Sequence, residues 1–191
     1  MVQPTLQPYF TLDEYLSLDG HADSHCELVN GILVDMPPES DENNDIAKRL
    51  LFELAKSIPV ALLGYKDTEI EVSGRRATCR IPDLLVHSEE SKAALASTKR
   101  ATLTHDMLPP ALVIEIVSPG QKNRDRDYRY KRTEYAARGV AEYWIVDPEA
   151  KQITRCRWEN GLYEDTVHRG VEAIASDVAP SFGLAVEDVF A

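Results

Sequence analysis

Apolar residues recur with two different periods along the chain, and each period predicts a different kind of element. In segment 45–54, Ile46 and Leu50 follow helical spacing, so we predict a long amphipathic helix that ends near Pro59. Segment 111–117 is instead almost wholly apolar and rich in β-branched residues. Such a run between proline-containing turns is typical of a strand that is buried on both faces.

Two short patterns near the amino terminus have specific structural meanings. Thr11 is followed three residues later by Glu14, a capping box that predicts a short helix near 11–18. Asn30-Gly31 lies between apolar pairs, which is a strong hairpin signal. We therefore expect two antiparallel strands that turn at this dipeptide.

The middle of the chain is predicted to contain a second strand pair. Segments 65–72 and 80–87 have strand-like composition and are separated by a turn, which places Asp83 at the start of the second strand or within it. Segment 88–108 is polar and small-residue-rich, so we expect a loop with a short helix.

The second half of the chain predicts a β-α-β unit. The predicted central strand is followed by helix formers over 126–138, by Gly139 at a C-cap position, and by a strand over 141–146. This succession indicates a parallel strand pair. Segment 153–168 should form a hairpin, and 181–190 a short segment that docks on the core.

Size and composition fit a single domain spanning 1–191, with 43% hydrophobic and 28% charged residues. The three cysteines, Cys26, Cys79 and Cys156, lack disulfide or zinc-site spacing, which is typical of a reducing compartment. The amino terminus lacks a signal-peptide pattern, and no apolar run is long enough to span a membrane. We expect a cytoplasmic protein.

The net charge of −11 argues against nucleic-acid binding, because lysine and arginine supply most non-specific affinity for DNA. However, basic residues concentrate in one stretch, and metal-binding acids contribute to the negative count. The alternative is a solvated helix face paired with nearby acids. The basic residues are Lys122, Arg124, Arg126, Arg129, Lys131, Arg132 and Arg138.

Asp83 and Glu115 are the candidate metal ligands, with Lys131 nearby on a helix. Glu115 is the most anomalous residue, because a carboxylate in a buried strand is costly unless it is paired or binds a metal. Two strand-borne carboxylates suit a divalent cation that activates water against a phosphodiester. The alternatives are a turn cap for Asp83, an arginine partner for Glu115, and an i, i+4 ion pair with Asp127 for Lys131.

The chain resembles the Uma-type putative restriction endonucleases of the PD-(D/E)XK nuclease superfamily, almost from end to end. The blocks that carry the resemblance are Glu27-Leu-Val-Asn-Gly-Ile-Leu, Ile81-Pro82-Asp83-Leu84, the segment from Pro110 to Pro119 that contains Glu115, Asp127-Tyr-Arg-Tyr-Lys131, Tyr135, and the segment from Gly139 to Pro148.

The resemblance implies an α/β (α+β) restriction-endonuclease-like fold, a central mixed sheet flanked by helices with extra hairpins. It implies that Asp83 and Glu115 hold Mg²⁺, with Mn²⁺ as a substitute, and that Glu27 adds a ligand directly or through water. The superfamily lysine two residues after the second acid is replaced by Val117. In this interpretation Lys131 takes the role of the missing superfamily lysine. Lys122, in a predicted flexible loop, is the weaker substitute for that lysine.

Two functions of different classes remain open from the sequence. The first is a Mg²⁺-dependent DNA endonuclease that uses Asp83, Glu115 and Lys131. The second is a catalytically inactive nuclease fold that serves as a binding or assembly module, which Val117 and the acidic surface favour. Convergence of the two acids on a site that Lys131 reaches would favour cleavage.

A third function is the hydrolysis of a small phosphoester, which would require a deep closed pocket. A homodimer would suit cleavage of a duplex, because a two-fold axis matches the pseudo-symmetry of DNA. Trp158 and Tyr163, taken as exposed aromatics of the last hairpin, either support such a contact or pack within the chain.

Overall fold

The computed structural model of the chain describes residues 9–18 and 26–191. Its helices pack against mixed β-sheets. A π-helical turn, Arg126–Lys131, joins the fourth helix to the fifth without a break. The helices are α1 (Leu12–Leu16), α2 (Asp41–Leu54), α3 (Glu89–Leu95), α4 (Gln121–Asp125), α5 (Arg132–Arg138) and α6 (Val186–Val189), with a 3-10 turn at Val60–Leu62.

The strands form two sheets within the described residues. The smaller sheet has the order β2-β1-β5-β4-β7, and the larger has the order β11-β10-β9-β8-β6-β3. The strands are β1 (Cys26–Val29), β2 (Ile32–Asp35), β3 (Leu63–Tyr65), β4 (Glu69–Glu71), β5 (Cys79–Arg80), β6 (Leu84–Val86), β7 (Thr102–Leu103), β8 (Leu112–Ile116), β9 (Glu142–Asp147), β10 (Gln152–Glu159) and β11 (Leu162–Arg169).

The central strands β8 and β9 of the larger sheet are buried on both faces, because helices pack against both sides of them. Side chains alternate between the faces of a strand. Leu112, Ile114 and Ile116 of β8 therefore belong to a first core with the apolar stripe of α2. Val113 and Val117 belong to a second core with α5. This alternation decides which helix each side chain of β8 meets.

Several elements confirm the sequence predictions. Thr11 and Glu14 form the predicted capping box, although the helix is shorter than 11–18. Asn30-Gly31 turns the β1–β2 hairpin with both residues at positive φ, as a type I′ turn requires. Strands β8 and β9 pair in parallel on either side of α4–α5, which is the predicted β-α-β unit.

The predicted strand pair over 65–72 and 80–87 is confirmed, because β3 pairs with β6 and β4 pairs with β5, both antiparallel, but the pair is divided between the two sheets. The first segment breaks between β3 and β4, the second breaks between β5 and β6, and the halves join different sheets. The first break is the polar turn 66–68, and the second is 81–83, where Pro82 has no backbone N–H to donate to a neighbouring strand. Asp83 lies in the second break, immediately before β6.

The helix predicted over 126–138 begins earlier, at Gln121, so Lys122 lies in α4 rather than in a flexible loop. Its end is as predicted, because Gly139 adopts the left-handed conformation at φ 82°. Segment 88–108 contains α3, as expected, and also the short strand β7. The long helix predicted in segment 45–54 also begins earlier, as α2.

The carboxyl-terminal elements pack on the core as predicted. Strands β10 and β11 form the hairpin, and Phe182, Val186 and Val189 join the first core. Tyr163 is buried and donates to the carbonyl of Val140, so its description as an exposed aromatic is wrong. Among the described residues, no helix is both long and apolar enough to cross a membrane.

Candidate active site

Strand alternation places Glu115 on the α4–α5 side of the larger sheet. Its neighbours Ile114 and Ile116 point into the first core, whereas Glu115 shares its face with Val113 and Val117. Glu115 is almost fully buried. A carboxylate at this position must find partners on the covering helix, because the sheet itself offers only backbone groups.

Lys131 supplies the charged partner from the π-helical turn. Its side chain is 0% exposed, and its Nζ atom lies 2.7 Å from Oε1 of Glu115 and 3.3 Å from Oε1 of Glu27. These contacts replace the i, i+4 pair with Asp127 that the helix pattern offered as an alternative. The structure thus brings together three residues that the resemblance singles out.

Tyr135 adds a second donor to the same carboxylate. Its hydroxyl donates to Oε1 of Glu115 at 2.8 Å, and its ring is buried in the second core against Tyr143. Tyr128, three residues before Lys131, instead donates its hydroxyl to Asp147. Glu115 therefore receives both the ammonium and the phenol from one continuous helix.

Asp83 lies beside Glu115 through a backbone contact. The N–H of Ile116 donates to Oδ2 of Asp83 at 2.8 Å, which fixes this carboxylate next to the following strand. Lys66, in the turn after β3, approaches Oδ1 of Asp83 at 3.4 Å. Sequence reasoning missed Lys66, because a lone lysine in a polar turn carries no pattern.

Glu27 is held by Arg80 as well as by Lys131. Arg80 is buried, donates through Nη1 to Glu27 at 2.8 Å, and forms a two-pronged contact with Glu134 of α5 at 2.8 and 2.9 Å. The N–H of Ile81 also donates to Glu27, at 3.1 Å. Arg80 was also missed from the sequence. Its partners come from a different strand and a distant helix.

We call Glu27, Asp83, Glu115 and Lys131 the acid–lysine cluster. A fourth buried carboxylate, that of Asp127, lies on the same helix as Lys131 and accepts from Nε of Arg126 at 3.0 Å. The cluster therefore combines crowded acids with cations that are themselves partly or wholly buried.

The electrostatics of the acid–lysine cluster follow from this crowding. Burial raises the pKa of Glu115, as do the neighbouring acids, while Lys131 opposes the shift. Burial likewise raises the pKa of Asp83, against the Ile116 N–H and Lys66. Burial alone would lower the pKa of Lys131, but the surrounding carboxylates outweigh it and raise that pKa.

Glu27 shows the opposite balance. Burial would raise the pKa of its carboxyl, but Lys131 and Arg80 outweigh burial and lower it. The lowered pKa keeps Glu27 ionised. The pKa values of Asp83 and Glu115 are raised instead, because the cations of the chain do not fully offset burial, and an additional cation would favour the ionised forms of both.

Val117 lies on the same strand face as Glu115 and packs in the second core. A lysine at this position would extend from the strand that carries Glu115. The chain has an apolar residue there and brings its ammonium from the helix instead, through Lys131. Glu115 therefore has a lysine partner, but this lysine comes from the helix and not from the position two residues after Glu115.

Two cavities open beside the cluster, on either side of segment 36–39. The first, of about 420 Å³, is lined by Lys66 and Asp83 among others, and we call it the Lys66 cavity. The second, of about 650 Å³, is lined by Glu27, Arg126 and Tyr130 among others, and we call it the Arg126 cavity. The Lys66 cavity therefore reaches Asp83 and the Arg126 cavity reaches Glu27, while Glu115 lies behind them in the protein.

The donor set suits a hard divalent cation. Within residues 9–18 and 26–191, no group of three or more Asp, Glu, His or Cys side chains is arranged to hold a metal ion. Mg²⁺ commonly takes only one or two protein carboxylates and keeps several waters. Asp83 and Glu115 are two such carboxylates, and because burial raises the pKa of both, a nearby cation would favour their ionised forms.

The fold is similar to that of a solved structure. The crystal structure of a "putative nuclease belonging to DUF820" from Anabaena variabilis ATCC 29413 superimposes with a TM-score of 0.69. The match covers 95% of this chain and 97% of that chain, at 16% sequence identity. This likeness confirms the expected fold class, mixed sheets flanked by helices in a nuclease-like arrangement.

Sequence comparison gives the family. No curated protein matches the chain. The family model Uma2, described as "Putative restriction endonuclease", matches residues 12–187, a range that contains the whole acid–lysine cluster. The chain therefore belongs to the Uma2 family of restriction-endonuclease-like proteins.

Proposed function

We propose that this protein is a Mg²⁺-dependent endonuclease that hydrolyses phosphodiester bonds in DNA at the acid–lysine cluster. The observation that carries the proposal is the 2.7 Å contact between Lys131 and Glu115, beside Asp83. An acid immediately before one strand, an acid within the neighbouring strand and an adjacent ammonium form the constellation that the PD-(D/E)XK resemblance requires. Membership of the Uma2 family supports a nuclease.

Asp83 and Glu115 are the proposed metal ligands. When bound, the metal would lower the pKa of a coordinated water and neutralise charge on the phosphate. Both carboxylates are rigidly placed, one by the Ile116 N–H and the other by Tyr135, so they present oxygens in a fixed geometry. Mn²⁺ is the proposed substitute ion.

Glu27 has a different role in this proposal. Its two oxygens are already engaged by Arg80, the Ile81 N–H and Lys131. We therefore assign it to holding Lys131 in place, with contact to the metal only through water. Its lowered pKa keeps it ionised, so the Lys131 ammonium has a permanent counter-charge.

Lys131 is the proposed stabiliser of charge on the attacking water or the scissile phosphate. Its raised pKa keeps it charged, and burial prevents bulk water from screening it. The alternative of an inactive binding module was based on the acidic surface and on Val117 in place of the motif lysine. The arrival of Lys131 at Glu115 supports cleavage over that alternative.

The Arg126 cavity supports DNA as the substrate despite the net charge of −11. Lys122 and Arg126 line it, and Tyr130, which is 59% exposed, offers a ring face to a base. The lining also contains four acids, Glu27, Asp35, Glu39 and Glu134, of which Glu27 and Glu134 are ion-paired with Arg80. Lys122 and Arg126 are the proposed contacts to the phosphates of the DNA.

The first experiment is a calorimetric titration of purified protein with Mn²⁺, because it requires no knowledge of the DNA sequence. Wild type should bind, and Asp83→Ala should lose binding while it keeps its fold by circular dichroism. Glu42→Ala is the matched control, because Glu42 is an exposed acid outside the cluster. Equal Mn²⁺ binding by wild type and Asp83→Ala would contradict the assignment of Asp83 as a metal ligand.

A cleavage screen then separates the nuclease from the binding module. Wild type should nick or cut plasmid DNA with Mg²⁺, and Asp83→Ala should not. DNA retention without cleavage under any divalent ion would support the inactive module instead.

A further inference from the structure

The Lys66 cavity has the composition of a small-molecule site. Its volume of about 420 Å³ lies within the usual range of about 300–1,000 Å³ for such sites. Met36, Pro37 and Ile81 supply apolar walls, and a few polar groups face the same space. Because Asp83 is one of these polar groups, a molecule in this cavity would lie next to the proposed metal ligands.

Lys66 is the cation of this cavity, and its present contacts are long. Its Nζ atom lies 3.4 Å from Oδ1 of Asp83 and 3.4 Å from Oδ1 of Asn44. Charge-assisted hydrogen bonds are commonly about 2.7–2.9 Å. An ammonium has three donors, so Lys66 keeps capacity for a closer anionic partner.

The two lysines of the site differ in this respect. Lys131 is fully buried and in close contact with Glu115, whereas the side chain of Lys66 is 22% exposed. Lys131 is thus committed to the acids, while Lys66 is accessible from the cavity. The cluster has one internal cation and one that an incoming phosphate can reach.

The backbone at Lys66 supports a role for its side chain. Lys66 has a φ of 52°, in the left-handed region that glycine and asparagine adopt at lower cost. The turn could therefore be built more cheaply with either residue. A lysine in a costly conformation beside a cavity and a buried acid is consistent with a functional requirement.

We propose that the Lys66 cavity binds the nucleoside next to the scissile phosphate, and that Lys66 contacts a non-bridging oxygen of that phosphate. The inference rests on the proposed nuclease function and specifies how the substrate is held. The apolar walls would pack against the faces of a base. Glu39, in the same wall, would accept from an exocyclic amino group.

The test is calorimetric binding of deoxyadenosine 5′-monophosphate in buffer with Mg²⁺. Lys66→Gln should weaken binding about tenfold or more, because it removes a charge-assisted hydrogen bond. Lys66→Arg should restore much of the affinity. Lys48→Gln is the matched control, because Lys48 is an exposed, ion-paired lysine on α2, and it should bind as wild type does.

Two further ligands and a second variant test the cavity itself. Deoxyadenosine alone and inorganic phosphate alone should each bind at least tenfold more weakly than the nucleotide. Pro38→Trp, which places a bulky side chain in the wall of this cavity alone and changes no charge, should also reduce nucleotide binding. Wild-type affinity in Lys66→Gln, or equal affinity for phosphate and nucleotide, would overturn the inference.

The Mn²⁺ titration of wild type keeps the two proposals distinguishable. Metal binding by wild type together with unchanged nucleotide affinity in Lys66→Gln would contradict the proposed nucleoside site but not the proposed nuclease function. Lys66-dependent nucleotide binding in a protein that does not bind Mn²⁺ would retain the subsite and remove the metal-dependent mechanism. Absence of nucleotide binding by wild type would overturn the subsite in either case.

Discussion

Lys131 reaches Oε1 of Glu115 at 2.7 Å, from the π-helical turn that covers the strand carrying this glutamate. A π-helical turn spaces its backbone hydrogen bonds five residues apart rather than four and is frequent at functional sites. It changes the phase of the helix between Asp127 and Tyr135. Lys131 and Tyr135 then both contact Glu115, while Tyr128 is directed to Asp147.

Removal of the Lys131 ammonium should separate metal binding from cleavage. Lys131→Met should retain Mn²⁺ binding, because an oxygen of Glu115 is released, but should reduce the cleavage rate by about 100-fold or more. Single-turnover cleavage and calorimetry measure the two effects. Arg129→Met is the control on the same helix, since the Arg129 side chain is 70% exposed. Wild-type cleavage by Lys131→Met would exclude its proposed role.

Arg80 should be one of the most important residues for stability. Its guanidinium joins β5 to α5 through Glu134 and neutralises Glu27 inside the protein. Arg80→Ala should lower the free energy of unfolding by about 3–5 kcal/mol, because it leaves buried carboxylates without a partner. Urea denaturation gives the value directly.

The matched change for Arg80 is Arg157→Ala, which removes a half-exposed arginine with two acidic partners. An exposed pair contributes about 0–1 kcal/mol, so this variant should unfold nearly as wild type does. Similar losses in both variants would contradict the structural role assigned to Arg80.

Gly139 ends the helix that carries Lys131, at a φ of 82°. Gly139→Ala should lower the free energy of unfolding by about 1–2 kcal/mol, because a side chain is strained in the left-handed conformation. Space is not the reason, since a Cβ atom there would meet no heavy atom within 4 Å. Gly139→Asn should lose less, because asparagine tolerates this conformation. Equal losses in thermal unfolding would point to another cause.

His87 should make the stability of the protein depend on pH below neutrality. Burial lowers the pKa of this side chain to about 4, with a contribution from Lys92. The unfolded chain binds the proton near pH 6.5, so the stability contributed above that pH is lost between about pH 6.5 and 4. Urea titrations of wild type and His87→Gln at pH 7 and 5 should show a smaller loss for the variant. Parallel losses would assign the pH dependence to other groups.

The sequence predicted the strands better than the contacts between them. Glu115 was detectable because a single acid interrupts an apolar run, and that anomaly needs no partner to be visible. The hairpin at Asn30-Gly31 was likewise a local signal. Local chemistry therefore identified both a site residue and a turn correctly.

The remaining contacts depend on distances that sequence patterns do not contain. Lys131 was recognised as a helical lysine that follows the two acids, and the resemblance gave it the role of the motif lysine, while its helical spacing also allowed an ion pair with Asp127. Arg80 joins Glu27 to Glu134 across two elements, and Lys66 meets Asp83 only because strands β3 and β6 pair. Such partners become visible when tertiary structure brings separate segments together.

Strand β8 has a consequence for how this protein can change over generations. Its even-numbered residues, 112, 114 and 116, pack toward α2, and its odd-numbered residues face the helix with Lys131. The even positions serve packing alone, whereas the odd face combines the chemistry of Glu115 with the packing of Val113 and of Val117, which directly follows β8. A mutational library aimed at new reactivity would therefore vary position 115 and keep both valines.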